Sequence, residues 1–231
     1  PRFTAGVVTA LIASAALIGV ELVFSQRLQL VLGYSPLEAG LLILPIPAAA
    51  FFAGPLTGLA LPRLGGERVL WAALLLSGLA LAAFLATHQG PTGYWIAALA
   101  AMGFGVGASM TAASAVIMLS APEEQAGMAA SVEEVSFELG GALGIALLGS
   151  LMSALYSKAM VVPQGIALAD EARDSLDEAL VLADGLKPDQ AQQIITLAQS
   201  AFGYAFVGVV GVAVAMLIAV AFTLYWKLSP R

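Results

Sequence analysis

The chain has 231 residues, 60% hydrophobic and only 10% charged, with a formal net charge of −6 and a mean hydropathy of +0.94. Soluble domains carry about 45–50% apolar and about 25% charged residues, so this composition excludes a disordered chain, a fibrous protein and a water-soluble globule. The absence of cysteine removes disulfides, thiolate metal sites and cysteine nucleophiles, and no basic patch points to nucleic acid.

A helix rising 1.5 Å per residue needs about 20 residues to cross a ~30 Å hydrocarbon layer. Six apolar stretches meet that length. They run from about Phe3 to Leu30, Leu37 to Ala60, Val69 to Thr87, Tyr94 to Ser120, Met128 to Tyr156 and Ala201 to Trp226. Gly33-Tyr34-Ser35-Pro36, Gly65-Gly66, Gly90-Pro91 and Pro122 mark boundaries between them, as turn formers should. Pro45, Pro47 and Pro55 lie inside the second stretch, where neighbouring helices can re-satisfy the freed carbonyls. The expected fold is an all-α integral membrane protein with six transmembrane helices. Because the chain opens Pro1-Arg2-Phe3 without an initiator Met, we expect one part of a longer protein.

Three regions follow: residues 1–160 with five spans, 161–200 as a hairpin, and 201–231 with the last span and a tail. The middle region holds Asp170, Glu171, Asp174, Asp177, Glu178, Asp184 and Asp189, seven of the fifteen acidic residues. That makes it a water-exposed segment. Leu176, Leu180 and Ala183 nevertheless recur at helical spacing, Gly185 reads as a helix stop and Pro188 as a first helical residue. The pattern predicts an extracytoplasmic helical hairpin, with a solvated linker as the alternative. Its second helix can run on through Ile194 and Leu197 into the sixth span.

Lys and Arg in short loops set orientation. With both ends cytoplasmic, Arg2, Arg63, Arg68, Lys227 and Arg231 lie inside, against Arg27 and Lys158 at outer helix ends and Arg173 and Lys187 in the long acidic loop, which counts little. Tyr94, Trp95, Tyr225 and Trp226 fall at expected interfaces.

The fifth stretch carries the chemistry. It contains Glu133, Glu134 and Glu138, then Gly140, Gly141 and Gly144. Glu134 and Glu138 are four apart and share a helix face. With the span centred near Ala142, Glu138 lies about 6 Å from mid-membrane and Glu133 about 14 Å. A charge at the bilayer centre costs about 2.5–3.5 kcal/mol on insertion scales, so such residues face a bundle interior or a wet cavity. There a carboxylate can hold a proton near neutral pH or pair with a cationic ligand; bonding to a neighbouring helix is the structural alternative. Glu21, the other acid within the first span, can pair with Arg27 or take part in transport, and both readings stay open. Phe137, Phe51, Phe104 and Met102 are candidates to line a pocket for flat cations. Gly103 and Gly107, like Gly140 and Gly144, are small-xxx-small pairs that let helix backbones approach.

Enzyme signatures are missing. The single histidine, His88, falls in an expected outer loop, and no HExxH, GxSxG or P-loop occurs. We expect no enzymatic activity, no metal site and no cofactor.

The run Gln29-Leu30-Val31-Leu32-Gly33-Tyr34-Ser35-Pro36-Leu37-Glu38-Ala39-Gly40, followed by Leu44-Pro45, resembles the mark of the fourteen-helix drug:proton antiporters of the major facilitator superfamily. Ala129 to Gly141, with its three glutamates, is similar to the multidrug pumps for quaternary ammonium compounds and methyl viologen. Pro62-Arg63-Leu64-Gly65-Gly66-Glu67-Arg68 resembles a degenerate copy of that family's basic loop. The resemblance implies the C-terminal six-helix half of a proton-coupled efflux antiporter in a bacterial inner membrane. Its implied partners are the bilayer, protons, cationic amphiphiles and an N-terminal half. The same resemblance implicates Glu133, Glu134 and Glu138 in binding drug or proton. The chain departs from the family pattern at Gln26-Arg27 and in the apolar Pro47–Phe52 run. From the residues alone, a non-transporting membrane subunit and a transporter of a metabolite or lipid remain alternatives.

Overall fold

Hydrocarbon offers the backbone no water, so a spanning segment must satisfy its own N–H and C=O groups, and a helix does so within one segment. The computed structural model describes residues 2–161 and 170–228, and the regular elements there are all helical. Arg231 and residues 162–169 of the expected hairpin lie outside the described residues.

The helices are α1 (Arg2–Gln26), α2 (Pro36–Ile43), α3 (Pro45–Leu64), α4 (Gly66–Thr87), α5 (Thr92–Ser120), α6 (Ala126–Ala159), α7 (Leu176–Ala183) and α8 (Pro188–Leu228). Six segments are long and apolar enough to span: Arg2–Val31, Pro36–Leu64, Gly66–Thr87, Thr92–Ser120, Glu123–Ala159 and Pro188–Leu228. The six expected stretches coincide with them.

Local chemistry explains the joints. Past α1 the chain widens into a π turn over Arg27–Val31. Gly33, at φ +72°, then reverses it through a conformation that suits a residue without Cβ. Ser35 caps α2 in a capping box with Glu38, and Pro36 occupies the first turn, where its missing N–H costs nothing. Leu44 keeps helical angles between α2 and α3, so the proline-rich second span is one bent rod. Gly65, at φ +81°, makes the tight turn into α4. Pro188 starts α8, which runs unbroken for 41 residues through the last span. The expected division at 200/201 falls inside this one helix.

α7 buries Leu176, Ala179 and Ala183. Tyr156 Oη donates to Ala172 O at 3.2 Å and Ser153 Oγ to Asp174 O at 3.2 Å. These bonds tie the segment before α7 to the end of α6.

Two close crossings organise the bundle. On α6, a Cβ added at Gly140 or Gly144 would lie 2.9 Å from Leu11 Cα or 2.8 Å from Ala15 Cα of α1. On α5, a Cβ at Gly103 or Gly107 would lie 2.7 Å from Ile46 Cα or 2.8 Å from Ala50 Cα of α3. Exchanging α1 with α5, α3 with α6 and α4 with α8 maps one crossing onto the other. That is the relation expected of two three-helix repeats. Around the seams, Phe24, Phe84, Trp95 and Phe206 form an edge-to-face core, with Phe24 and Phe84 centroids 5.1 Å apart.

Gly140→Val and Gly144→Val should each cost about 1–3 kcal/mol or more through overpacking, lowering the thermal melting point of the purified full-length protein. Gly203→Ala, which meets open space, should leave it unchanged or slightly higher.

Candidate functional site

The three glutamates stand on α6 just beyond the Pro122 turn. Glu133 is half-buried and continues the packed stripe of Ala129, Ser136 and Gly140. Glu134 and Glu138 are exposed on this half, and Glu138 points almost opposite Gly140, at about 200° around a helix turning 100° per residue. One face of α6 is therefore a glycine seam against α1, and another carries carboxylates one turn apart. Counted from the middle of either α1 or α6, Glu138 lies within about 10 Å of mid-span.

Among the described residues none of the three has a cationic partner. Among the described residues the one ion pair joins Arg2 at the start of α1 to Glu67 at the start of α4. The seam itself is pinned by Ser14, whose Oγ donates to Phe137 O at 2.7 Å. This fixes the register of α1 against the helix turn that carries Glu138. A small apolar cavity of ≈ 290 Å³ lies between the same helices, with Val7, Leu11, Val132 and Leu139 in its wall.

The four candidate pocket residues occupy four separate places. Phe51 is 74% exposed on α3 and packs edge-on to Phe52 at 5.4 Å. Phe104 is half-buried and lines a cavity between α3, α4 and α5. Phe137 sits in the α1/α6 seam. Met102 is fully buried in the core, next to the Gly103 crossing, and is a packing residue in this half. The groove lined by Phe104 holds none of the other three, and the α1/α6 cavity is lined by none of the four.

Glu21 and Arg27 do not pair either. Arg27 places its guanidinium 4.9 Å from the Phe206 ring centroid, a cation–π contact. Glu21 remains half-buried as a second carboxylate within the spans. Ser14 and the Arg27–Phe206 contact escaped the sequence reading. A serine in an alanine-rich helix carries no positional signal, and the stacking pair is 179 residues apart in sequence. Among the described residues no cluster of His, Asp and Glu suits a metal ion.

The described residues thus form an all-helical bundle with six candidate membrane spans, two related glycine crossings and an acidic face on the fifth span. Residues 3–169 match the Major Facilitator Superfamily model, and the chain belongs to that superfamily, a family of transporters and not of enzymes. It is 36% identical over 228 residues to the "Methyl viologen resistance protein SmvA" of Salmonella typhimurium, covering 97% of this chain and 46% of that protein. It is 32% identical to the "Multidrug efflux pump LfrA" of Mycolicibacterium smegmatis, over 87% of this chain and 40% of that one. The "Drug efflux pump JefA" of Mycobacterium tuberculosis is 28% identical over 100% of this chain and 48% of its own length. The chain thus spans about half the length of the relatives it matches.

The absence of native cysteine allows a direct test of which face meets water. In the full-length protein with any other cysteines removed, Glu134→Cys and Glu138→Cys should react with a membrane-impermeant maleimide in opened vesicles. Leu79→Cys, on the exposed apolar face of α4, should stay unlabelled.

Proposed function

We propose that this chain is the C-terminal half of a proton-coupled multidrug efflux antiporter that exports lipophilic cations from a bacterial cell. The observation that carries the reading is the pair of unpartnered, exposed carboxylates Glu134 and Glu138 on a membrane-spanning helix. An ionised carboxylate in hydrocarbon is costly unless it meets water, a proton or a cation. A group in that position exchanges one positive species for another, which is the elementary step of antiport. A greasy cavity wall adds affinity for the apolar body of the cation, while the charge selects its sign.

In this reading the two three-helix repeats move as one rigid half against an N-terminal half around a mid-membrane cavity. Glu138, the deepest of the three, binds cationic drug when ionised. A proton arriving from outside neutralises it and releases the drug there. Glu134, one turn nearer the cytoplasmic end, meets the cation first, and Glu133 on the packed stripe raises the local negative potential. The flat aromatic faces of Phe51 and Phe137 stand as contacts that a cavity completed by the other half could use. The 36% identity to a protein named for methyl viologen resistance supports this substrate class, since methyl viologen is itself an aromatic dication. Both termini of the segment lie on the cytoplasmic side of the inner membrane, with the α7 region outside.

The experiment is ethidium efflux from cells and proton movement in proteoliposomes, using the full-length protein. Glu138→Gln should abolish both at normal expression, a loss of at least about tenfold, corresponding to about 1.4 kcal/mol. Glu138→Asp should retain part of the activity. Undiminished efflux with Glu138→Gln refutes the assigned role.

A further inference from the structure

A second cavity lies away from the acidic face. It is a groove of ≈ 520 Å³ between α3 and α4, floored by α5, and so falls in the size range of small-molecule sites. α3 and α4 join at the Gly65 turn and touch little beyond it. Leu56 and Ala60 form one wall, Ala72 and Leu76 the other, and Phe104 and Ala108 the floor. Polar groups are confined to the Thr57 hydroxyl, the Trp71 indole and, at the mouth, the Arg68 guanidinium.

The charges around that mouth do not cancel. Glu67 is already engaged by Arg2. Arg68 and Arg63 are both exposed, and neither forms an ion pair among the described residues. Both belong to the polar end of their helices, one at the end of α3 and one at the start of α4. Beside the mouth, Trp71 packs edge-on to Tyr225 at 5.1 Å, and Lys227 follows at the end of α8. Aromatic side chains with basic ones beyond them mark the headgroup level of a membrane protein.

The geometry points to this groove as a binding site for one anionic phospholipid of the leaflet on the Arg63/Arg68 side. Its phosphodiester sits at the Arg68 guanidinium, with Arg63 across the Gly65 turn adding positive potential, and one acyl chain lies along Leu56, Ala72 and Phe104. Basic pockets between spanning helices take anionic headgroups for this electrostatic reason, and an apolar slot opening into a bilayer is filled by the chains around it. Charge complementarity selects the anionic headgroup over a zwitterionic one, and the length of apolar wall below Arg68 selects a lipid over a free anion. The inference is independent of the carboxylates on α6.

Purified full-length protein should be equilibrated with equal amounts of phosphatidylglycerol and phosphatidylcholine and its retained lipids counted by native mass spectrometry. The wild type should retain phosphatidylglycerol preferentially. Arg68→Gln should lower that preference about fivefold, the worth of one basic residue near a membrane surface, and Arg63→Gln with Arg68→Gln should abolish it. Ala72→Phe, which plugs the groove while keeping both guanidinium groups, should also abolish it; Leu76→Phe serves if that variant fails to fold. Unchanged phosphatidylglycerol retention in Arg68→Gln or in a folded plugged variant overturns the assignment. So does full displacement of the lipid by millimolar inorganic phosphate, which would mark a simple anion site.

Discussion

Close approach of backbones at two glycine crossings is the contact on which the rest of this structure depends. Inside a bilayer, burying leucine against leucine gains nothing over burying it against lipid tails, so helices associate through packing detail and interhelical hydrogen bonds. The α1/α6 and α3/α5 pairs meet with Gly140, Gly144, Gly103 and Gly107 against bare main chain. No side chain separates the two helices at those levels. Both glycine ladders belong to the second repeat, one on its first helix, α5, and one on its middle helix, α6. The two-fold relation is thus conserved in geometry and not in which partner supplies the small residues.

That constraint sorts the charged residues. A helix committed to a backbone-to-backbone seam on one face has only its other faces available for polar groups. α6 uses one of them for Glu134 and Glu138, while Glu133 stays at the edge of the seam. α1 carries Glu21 half-buried. Most remaining charges lie at helix ends or in the segment before α8. There Arg2 and Glu67 clamp the starts of α1 and α4 together, and Arg63 and Arg68 are left exposed, without an ion pair among the described residues.

Much of this was legible in the residues. Hydrophobic length alone places six spans, because the requirement is one of thickness. Ser35-Pro36-Leu37-Glu38 encodes its own helix start, a side-chain cap closed by a glutamate three residues on. Gly185 and Pro188 bracket the joint between α7 and α8. The helical spacing of Gly103 with Gly107 and Gly140 with Gly144 announces close packing, yet it cannot name the partner. Leu11, Ala15, Ile46 and Ala50 are ordinary apolar residues in sequence. Met102 illustrates the same limit from the other side. Its composition suits a soft, adaptable pocket, whereas its position beside Gly103 turns it into the core. The π turn at Arg27–Val31 has no local signature at all: Arg27 is held over Phe206 by a tertiary contact, and apolar residues on both sides read as continuous helix.

Coupling between the acidic face and the rest of the half follows from the seam. Ser14 is bonded to the carbonyl of Phe137, the residue directly before Glu138, and Gly140 two residues later lies on Leu11. A change of charge at Glu138 therefore acts on a helix turn locked to α1 from both sides. Local bending there would have to strain a part-buried hydrogen bond and open a close backbone contact. Moving α1 and α6 together strains neither. α1 in turn packs on α5 through Gly6 against Ile117, and α5 is locked to α3 by the second crossing. The two crossings and the Gly6 contact thus join α1, α3, α5 and α6 into one packed unit, with the carboxylates of Glu134 and Glu138 on its exposed face.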